Sequence, residues 1–276
     1  MAGWIRRSWA TARAPWNKVR YEFRRRRAVS RGLPSLEREP MRRVFDFLDG
    51  EERARAEARE LALRASFELD GLRARSTRRD YREALDLLDL LESIELPTTR
   101  DRRLRAVDVG SRNWTYVGAL ERWLAARADA IELTGVEVDG HPVYRNGFAR
   151  CDYARAYARA TGNPGVRYDV ADFRDWSGSR IDVVTLLHPF VTRYALLDWG
   201  LPADLFDPAT VVGHAVDVLR PGGILVAVHQ TAAERDAMLG MLRGRGERVA
   251  IEQVRTAPAW LTADRHLRAD RQIVVA

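Results

Sequence analysis

The sequence predicts an α/β protein with a doubly wound, mostly parallel seven-stranded sheet and an N-terminal helical extension. After residue 98, short apolar segments of strand length alternate with segments of helical periodicity, which is the pattern of a parallel sheet covered on both faces. The last two apolar segments have no full helix between them, which predicts an antiparallel pair at one edge. We divide the chain into a basic amphipathic arm (1–39), a helical extension (40–98) and the α/β domain (99–276).

Seven strands and four helices follow from this pattern. The strands are predicted, in chain order, at "LRAVDVG", "IELTGVEVD", "GVRYDVADF", "IDVVTLLHPF", "ILVAVHQ", "RVAIEQV" and "RQIVVA". The helices are predicted at "TYVGALERWLAARA", "VYRNGFARCDYARAYARATG", "DPATVVGHAVDVLRPGG" and "AAERDAMLGMLRG". The long connection from Phe190 to Pro208 contains Tyr194, Trp199 and Phe206. These aromatic residues suit the roof of an acceptor pocket, and equally suit packing against the N-terminal helices.

The extension has helical periodicity from residue 40 to residue 96. Gly50 and Gly71 are expected to end helices within it. Its leucines recur at helical spacing, and we interpret them as packing stripes rather than as cofactor contacts. Pro97 and the two threonines after it predict a linker to the α/β domain.

The composition excludes several kinds of site. The single cysteine, Cys151, cannot form an internal disulfide framework or a cysteine-based zinc site, and no metal site is predicted. A lone cysteine suits a reducing compartment, so we expect a cytoplasmic protein. The chain contains no run of 18 apolar residues, so no transmembrane helix is expected.

The positive charge is concentrated in the N-terminal arm. Residues 1–43 hold 13 Lys/Arg against 3 Asp/Glu, a net of +10, whereas the formal net charge of the whole chain is +7. The remainder is therefore close to neutral. This distribution does not indicate a nucleic-acid groove on the main body, and no nucleic-acid partner is expected.

The arm has the pattern of a basic amphipathic helix. At 100° per residue, six of its apolar side chains fall within an arc of about 80°, and four arginines lie to one side. Tryptophan and arginine on such a helix predict peripheral membrane contact through residues 1–30. Alternatively, the stripe docks on the protein's own core, or the arm is partly disordered. Pro15 is expected to kink the helix or to begin a second segment. The apolar residues are Ile5, Trp9, Ala12, Trp16, Val19 and Phe23, and the arginines are Arg6, Arg13, Arg20 and Arg24.

Candidate binding residues stand at the ends of four consecutive strands, where ligands bind in a doubly wound sheet. Acids at strand ends also cap helices, so each residue has a structural interpretation as well. Their occurrence in order on four strands favours a common ligand. The candidates are Asp108, Gly110, Ser111 and Asn113 after the first strand, Glu137 and Asp139 after the second, Asp172 and Phe173 after the third, and His188 after the fourth.

With these residues in this order, the chain resembles the class I S-adenosylmethionine-dependent methyltransferase family from about residue 100 to the C-terminus. The matching segments are "VDVGSRN", "GVEVD", "VADF", "IDVVTLLHP" and "LRPGGILV". The resemblance implies a Rossmann-like fold and S-adenosylmethionine as the cofactor. It also implies that Glu137, with Asp139 as a reserve, holds the ribose hydroxyls, and that Asp172 and Phe173 frame the adenine.

The chain departs from the family in the loop after the first strand. The family usually has three alternating glycines there, whereas this loop keeps Gly110 and has Arg112 and Trp114 at the other two positions. A dinucleotide needs such glycines because the backbone must approach a pyrophosphate, and S-adenosylmethionine has no phosphate. Ser111 and Asn113 can offer hydrogen bonds, and Arg112 either pairs with the ligand carboxylate or points into solvent. Because Trp114 is bulky, a pocket that binds no cofactor is the alternative.

Methyl transfer requires an acceptor to be positioned and, for a hydroxyl or ammonium, a proton to be removed. His188 is the candidate base, because an unperturbed imidazole has a pKa of about 6.5. The alternative is a histidine that caps the turn before Pro189. His229 is a weaker candidate.

The sequence therefore predicts a methyltransferase that acts on a small-molecule or a lipid- or glycan-linked acceptor. The degenerate loop favours the alternatives, a non-catalytic scaffold with the same fold or a membrane-peripheral binding protein. An NAD-linked oxidoreductase is disfavoured by the missing glycines. A nucleic-acid methyltransferase is disfavoured because "LLHPF" lacks the Asn/Asp-Pro-Pro-aromatic signature that the resemblance would imply.

Overall fold

A seven-stranded sheet forms the centre of the molecule. The computed structural model describes residues 2–27, 29–98, 102–256, 258, 260 and 270–276, and of residues 2–13 it describes only the backbone. The spatial order of the strands is β3-β2-β1-β4-β5-β7-β6. They are β1 (Arg103–Val109), β2 (Ala130–Glu137), β3 (Val166–Val170), β4 (Ile181–Leu187), β5 (Leu219–His229), β6 (Ile251–Arg255) and β7 (Arg271–Val275).

The directions of the strands confirm the predicted fold class. Strands β1 to β5 pair in parallel with one another, whereas β7 is antiparallel to both β5 and β6. The central strands are apolar along their length because helices cover both faces of the sheet. In β4, the six residues that begin at Ile181 are all buried. The parallel strands therefore end together at one edge of the sheet, which positions the candidate site.

Helices lie on both faces and over one edge of the sheet. Short 3₁₀ turns occur at Met41–Arg43, Phe173–Asp175 and Ala203–Leu205. In the described part of the chain the α-helices are α1 (Ala2–Arg27), α2 (Gly50–Phe67), α3 (Asp70–Ala74), α4 (Arg78–Leu91), α5 (Val117–Ala125), α6 (Arg150–Ala160), α7 (Arg193–Asp198), α8 (Pro208–Asp217) and α9 (Ala232–Gly244).

The helical extension shares a hydrophobic core with the sheet. Leu63 of α2 and Leu88 of α4 are fully buried in one cluster with Leu120 of α5 and Leu133 of β2. The packing of the extension on α5 is close, because a Cβ atom at Gly118 would lie 2.6 Å from a methyl group of Leu72. The opposite face of the sheet is covered by α8 and α9, whose buried residues form a second cluster.

Several local predictions are wrong at element boundaries. Gly50 begins α2 and Gly71 lies within α3, so neither glycine ends a helix. The helix predicted from Val143 begins only at Arg150, because residues 143–149 form a loop in which Gly147 has a φ of 85° and a bridge joins Val143 to Ala149.

Helix α1 is continuous through Pro15 and packs against α7 and the turn after it. Its inward face is partly polar, because the buried Asn17 donates from Nδ2 to the carbonyl oxygens of Leu197 (3.0 Å) and Leu201 (3.1 Å). The described part of the predicted apolar stripe therefore faces outward and does not dock on the core. Ile5, Trp9 and Ala12 lie outside the described side chains. No helix in the described ranges has the length and apolarity needed to cross a bilayer.

Candidate functional site

The loop after β1 contains three residues with positive φ. Gly110, Arg112 and Trp114 have φ values of 78°, 53° and 57°. Positive φ is the conformation that glycine adopts without strain and that other residues adopt at a cost. The loop therefore alternates left-handed residues at positions 110, 112 and 114. The Gly110 N–H donates to the carbonyl oxygen of Val136 over 2.8 Å, which holds the loop against β2.

The indole of Trp114 points into the core. Trp114 has no exposed surface, and its ring lies 5.8 Å from that of Tyr168, measured between centroids. A Cβ atom at Gly135, in the middle of β2, would lie 2.8 Å from the indole. Only glycine therefore leaves room for Trp114 at this point of the strand. A glycine inside a strand often marks such a close approach, and this signal in the sequence could have placed the tryptophan.

Asp108 at the end of β1 is a fully buried anchor for the loop. Its Oδ2 accepts from Trp114 Nε1 (2.9 Å) and from the Tyr116 hydroxyl (2.9 Å), and its Oδ1 accepts from the Thr185 hydroxyl (2.6 Å). Burial raises the pKa of Asp108 to about 7, against the opposite effect of these three donors. With no exposed surface, Asp108 acts on a bound ligand only through the loop that it holds.

Arg112 lies on the outer side of the loop. Its guanidinium carbon lies 4.2 Å from the centroid of the Trp199 ring, at the end of α7. Its backbone N–H donates to Glu137 Oε2 (2.9 Å), and its carbonyl oxygen accepts from the Tyr168 hydroxyl. The exposed side chain therefore lies between the loop and the long connection.

Ser111 and Asn113 occupy different environments. Ser111 is fully buried, and its Oγ lies 2.9 Å from the position of a Cβ atom at Gly135, so it points towards β2. Asn113 is partly exposed. Of the two predicted hydrogen-bonding residues of the loop, only Asn113 is accessible from outside.

The two acids after β2 are buried and engaged by the protein. Glu137 Oε1 accepts from the Asp139 N–H (2.8 Å), in addition to the contact of its Oε2 with the loop. Asp139 accepts from Arg24 Nη2 (3.1 Å) and lies 3.5 Å from Arg150 Nη1, while its Oδ1 is buried without a partner among the described residues. Each carboxylate oxygen can accept more than one hydrogen bond, so both acids keep capacity for a ligand hydroxyl.

Helix α1 lies beside these acids, which the sequence did not predict. The Tyr21 hydroxyl donates to the Val138 carbonyl oxygen (3.2 Å), and Arg24 pairs with Asp139. The arm therefore contacts the end of β2 directly. The sequence gives little indication of this contact, because Tyr21 and Arg24 lie more than a hundred residues away from their partners.

The two residues predicted to frame adenine lie in different places. Asp172 is partly exposed and accepts from the backbone and the guanidinium of Arg174. Partial burial raises its pKa, but these hydrogen bonds outweigh that effect and lower the pKa below its usual value. Phe173 is buried in the core, stacked 5.9 Å from Trp176 between ring centroids and in edge contact with His214. Asp172 is accessible to a ligand, whereas Phe173 supports the core behind it.

His188 follows β4 with a φ of 58°, and its N–H donates to the Val228 carbonyl oxygen (2.8 Å). His188 is exposed to solvent at the carboxyl end of β4. Desolvation by the surrounding protein, together with Arg271, His229 and Arg112, lowers the pKa of His188 to about 4. The imidazole is therefore neutral near pH 7, as a base must be, but it is weaker than an unperturbed histidine.

His229 has no exposed surface, and neither ring nitrogen has a partner among the described residues. Burial lowers its pKa to about 4, so it is a neutral core residue. A separate shallow recess, lined by Arg105, Glu132 and Trp176 among others, contains none of the predicted site residues.

The carboxyl ends of β1 to β4 thus bring together the loop, two acids, Asp172 and His188 at one edge of a mostly parallel sheet. The fold is Rossmann-like. This is the fold that the resemblance implied, with helices on both faces and an antiparallel strand β7 between β5 and β6.

No protein-family model matches the sequence, and no curated protein is a significant match. Among solved structures, the chain is similar to a SAM-dependent methyltransferase from Aquifex aeolicus, with 13% identity, a TM-score of 0.47, and coverage of 68% of this chain and 87% of that one. The chain is also similar to a geranyl diphosphate methyltransferase in complex with GPP and sinefungin, with 14% identity, a TM-score of 0.46, and coverage of 71% of this chain and 77% of that one. For the N-methyltransferase NodS from Bradyrhizobium japonicum, the identity is 16%, the TM-score is 0.43, and the coverage is 71% of this chain and 95% of that one.

Proposed function

We propose that this protein is a class I methyltransferase that uses S-adenosylmethionine to methylate a small-molecule or a lipid- or glycan-linked acceptor. One observation carries the proposal. The loop after β1 has positive φ at residues 110, 112 and 114, so its backbone follows a path for which glycine is the usual residue. The protein maintains this path with Arg112 and Trp114, at a cost in strain that a plain turn would not require.

The residues at the strand ends fit S-adenosylmethionine in two respects. A Cβ atom at Gly110 would point into open space, so the loop offers an unobstructed surface to an adenosine. The unpartnered Oδ1 of Asp139 is a buried acceptor that a ribose hydroxyl can satisfy. In this proposal Glu137 and Asp139 hold the ribose, Asp172 lies beside the adenine, and Asn113 and Arg112 face the amino-acid part of the cofactor.

S-adenosylmethionine supplies a methyl group that its sulfonium has already activated. The protein has to position the acceptor and, for a hydroxyl or ammonium acceptor, remove a proton. His188 lies at the end of β4 with an accessible, neutral imidazole and is the proposed base. The aromatic rings of Phe190 and Trp199, 6.1 Å apart between centroids, would form one wall for an apolar or ring-bearing acceptor.

Calorimetry with the full-length protein tests the cofactor. We expect saturable binding of S-adenosylmethionine and of S-adenosylhomocysteine, and none of NAD. Asp139→Asn and Asp172→Asn should each weaken binding by roughly tenfold, because each removes the charge from an acceptor of a ligand hydrogen bond. Asp204→Asn, which changes an acid paired with Lys18 of α1 and distant in sequence from the candidate residues, is the matched control and should bind as the wild type does.

A non-catalytic scaffold with this fold is the second candidate. It is favoured by the engagement of both acids after β2 by protein groups, including the pair between Arg24 and Asp139. A scaffold predicts no heat and no thermal shift with S-adenosylmethionine or S-adenosylhomocysteine. That result would contradict the methyltransferase proposal and favour the scaffold.

A further inference from the structure

We propose that the outer face of α1, formed by Trp16, Val19 and Phe23, docks on a bilayer that contains anionic lipid. The fold leaves this apolar surface of α1 uncovered, and docking through it would not require methyl transfer. The three side chains are 67%, 59% and 55% exposed, on a helix whose other face is packed against the protein.

The helix presents these residues outward because its opposite face is fixed by specific contacts. Asn17 donates to two carbonyl oxygens at the end of α7 and beyond it, and Tyr21 donates to the Val138 carbonyl oxygen. Lys18 pairs with Asp204 at 2.8 Å. Rotating α1 to bury the outer face would break these bonds and leave Asn17 without its buried partners. The apolar face is therefore available for a partner while the helix stays docked.

The three outer residues share one narrow strip. At 100° per residue, Trp16, Val19 and Phe23 lie within about 60° of one another. Arg20 and Arg26 flank the strip on opposite sides, and both are exposed. Arg27 follows at its C-terminal end, with its guanidinium carbon 4.4 Å from the centroid of the Phe23 ring.

The charges identify the kind of partner. From residue 14 to residue 27 the only acid is Glu22, which pairs with Arg25 away from the strip. An apolar strip with aromatic residues, bordered by arginines, matches the boundary between acyl chains and anionic headgroups. The aromatic side chains enter the interface while the guanidinium groups remain at headgroup level. The charge complementarity therefore favours an anionic bilayer over an acidic protein surface, which would not need the apolar strip.

Vesicle flotation with the full-length protein tests the inference, without any cofactor. The probes are phosphatidylcholine vesicles and vesicles of phosphatidylcholine with phosphatidylserine. The wild type should float with the anionic vesicles and stay behind with the neutral ones. A triple variant, Trp16→Ser/Val19→Ser/Phe23→Ser, should lose roughly tenfold or more of its partitioning into anionic vesicles.

A matched control replaces the same number of exposed apolar residues elsewhere. Leu61→Ser/Val143→Ser/Val254→Ser changes side chains that are 66%, 59% and 54% exposed, and it should float as the wild type does. Equal flotation of both triple variants, or no flotation of the wild type, would overturn the proposal.

Hydrogen exchange on the wild type keeps the inference testable if the outer-face variant does not fold. Anionic vesicles should slow amide exchange in peptides from α1 and leave α2 unchanged. Unchanged exchange in α1 in the presence of bound vesicles would overturn the proposal, as would a dimer in gel filtration that the outer-face variant abolishes. Failure of cofactor binding in calorimetry would leave this result intact, so the two proposals fail independently.

Discussion

Trp114 donates from Nε1 to Oδ2 of Asp108 over 2.9 Å, inside the core and directly beneath the loop after β1. This bond explains how a tryptophan occupies a position with left-handed backbone, which glycine adopts more readily. The left-handed backbone at Trp114 directs the indole into the core, where Gly135 leaves room for it and Asp108 accepts its N–H. Burial of the large ring offsets the strain of the positive φ.

Replacement of Trp114 should therefore be costly. We expect Trp114→Ala to lower the free energy of unfolding by about 3–5 kcal/mol, because it removes a fully buried aromatic side chain. Trp114→Phe keeps most of the volume but removes the N–H, and should cost about 1–3 kcal/mol. Urea denaturation measures both. Trp199→Ala, at a side chain that is 41% exposed, is the control and should cost less than either.

At most positions an alanine variant is more stable than a glycine variant, and the positive φ of Arg112 predicts the reverse at this position. Arg112→Gly and Arg112→Ala both lose the contact with Trp199, but only alanine keeps the strain of a φ of 53°. Arg112→Gly should be the more stable of the two by about 1 kcal/mol. At Arg122, in the last turn of α5, the alanine variant should instead be the more stable of the two by about 1 kcal/mol. Thermal unfolding of the four variants measures both differences in stability. A more stable alanine variant than glycine variant at position 112 would contradict the loop conformation.

Asp108 should make stability depend on pH. Its pKa is about 7 in the folded protein, above the value of about 3.9 expected when unfolded. A raised pKa means that the folded state binds the proton more tightly than the unfolded state does. The stabilisation of the folded state by this proton is therefore fully present below about pH 4 and is lost as the pH rises through about 7. Relative to the wild type, Asp108→Asn should therefore gain stability from pH 5 to pH 8 in urea titrations. Asp204→Asn should show no such trend, because Lys18 lowers the pKa of Asp204 and keeps it ionised over this range.

His188 should titrate well below the usual range for histidine. We expect an NMR midpoint near pH 4 for its imidazole protons, because desolvation and the nearby Arg271, His229 and Arg112 disfavour the cation. Arg112→Gln should raise this midpoint, whereas Arg20→Gln, on the outer side of α1, should leave it unchanged. A midpoint near 6.5 in the wild type would contradict the described surroundings of His188.

The sheet, and the edge of it at which a site can form, follow from the amino-acid sequence alone. Apolar strands that alternate with helices fix a parallel sheet, and the strand ends in chain order place Gly110, Glu137, Asp172 and His188 at one edge. These features depend on local periodicity and on the fixed direction of each strand. They are therefore readable without knowledge of contacts between distant residues.

The directions of the side chains at that edge depend on contacts between residues that are distant in the sequence. Burial of Trp114 depends on Gly135 across the sheet, burial of Phe173 depends on Trp176 and His214, and Asp139 is paired with an arginine 115 residues earlier in the chain. The outward face of α1 was decided in the same way. Hydrophobic periodicity locates an apolar stripe on a helix, but it does not show which face of the helix is buried. In α1 the buried face is the one that forms hydrogen bonds with the backbone after β2 and at the end of α7.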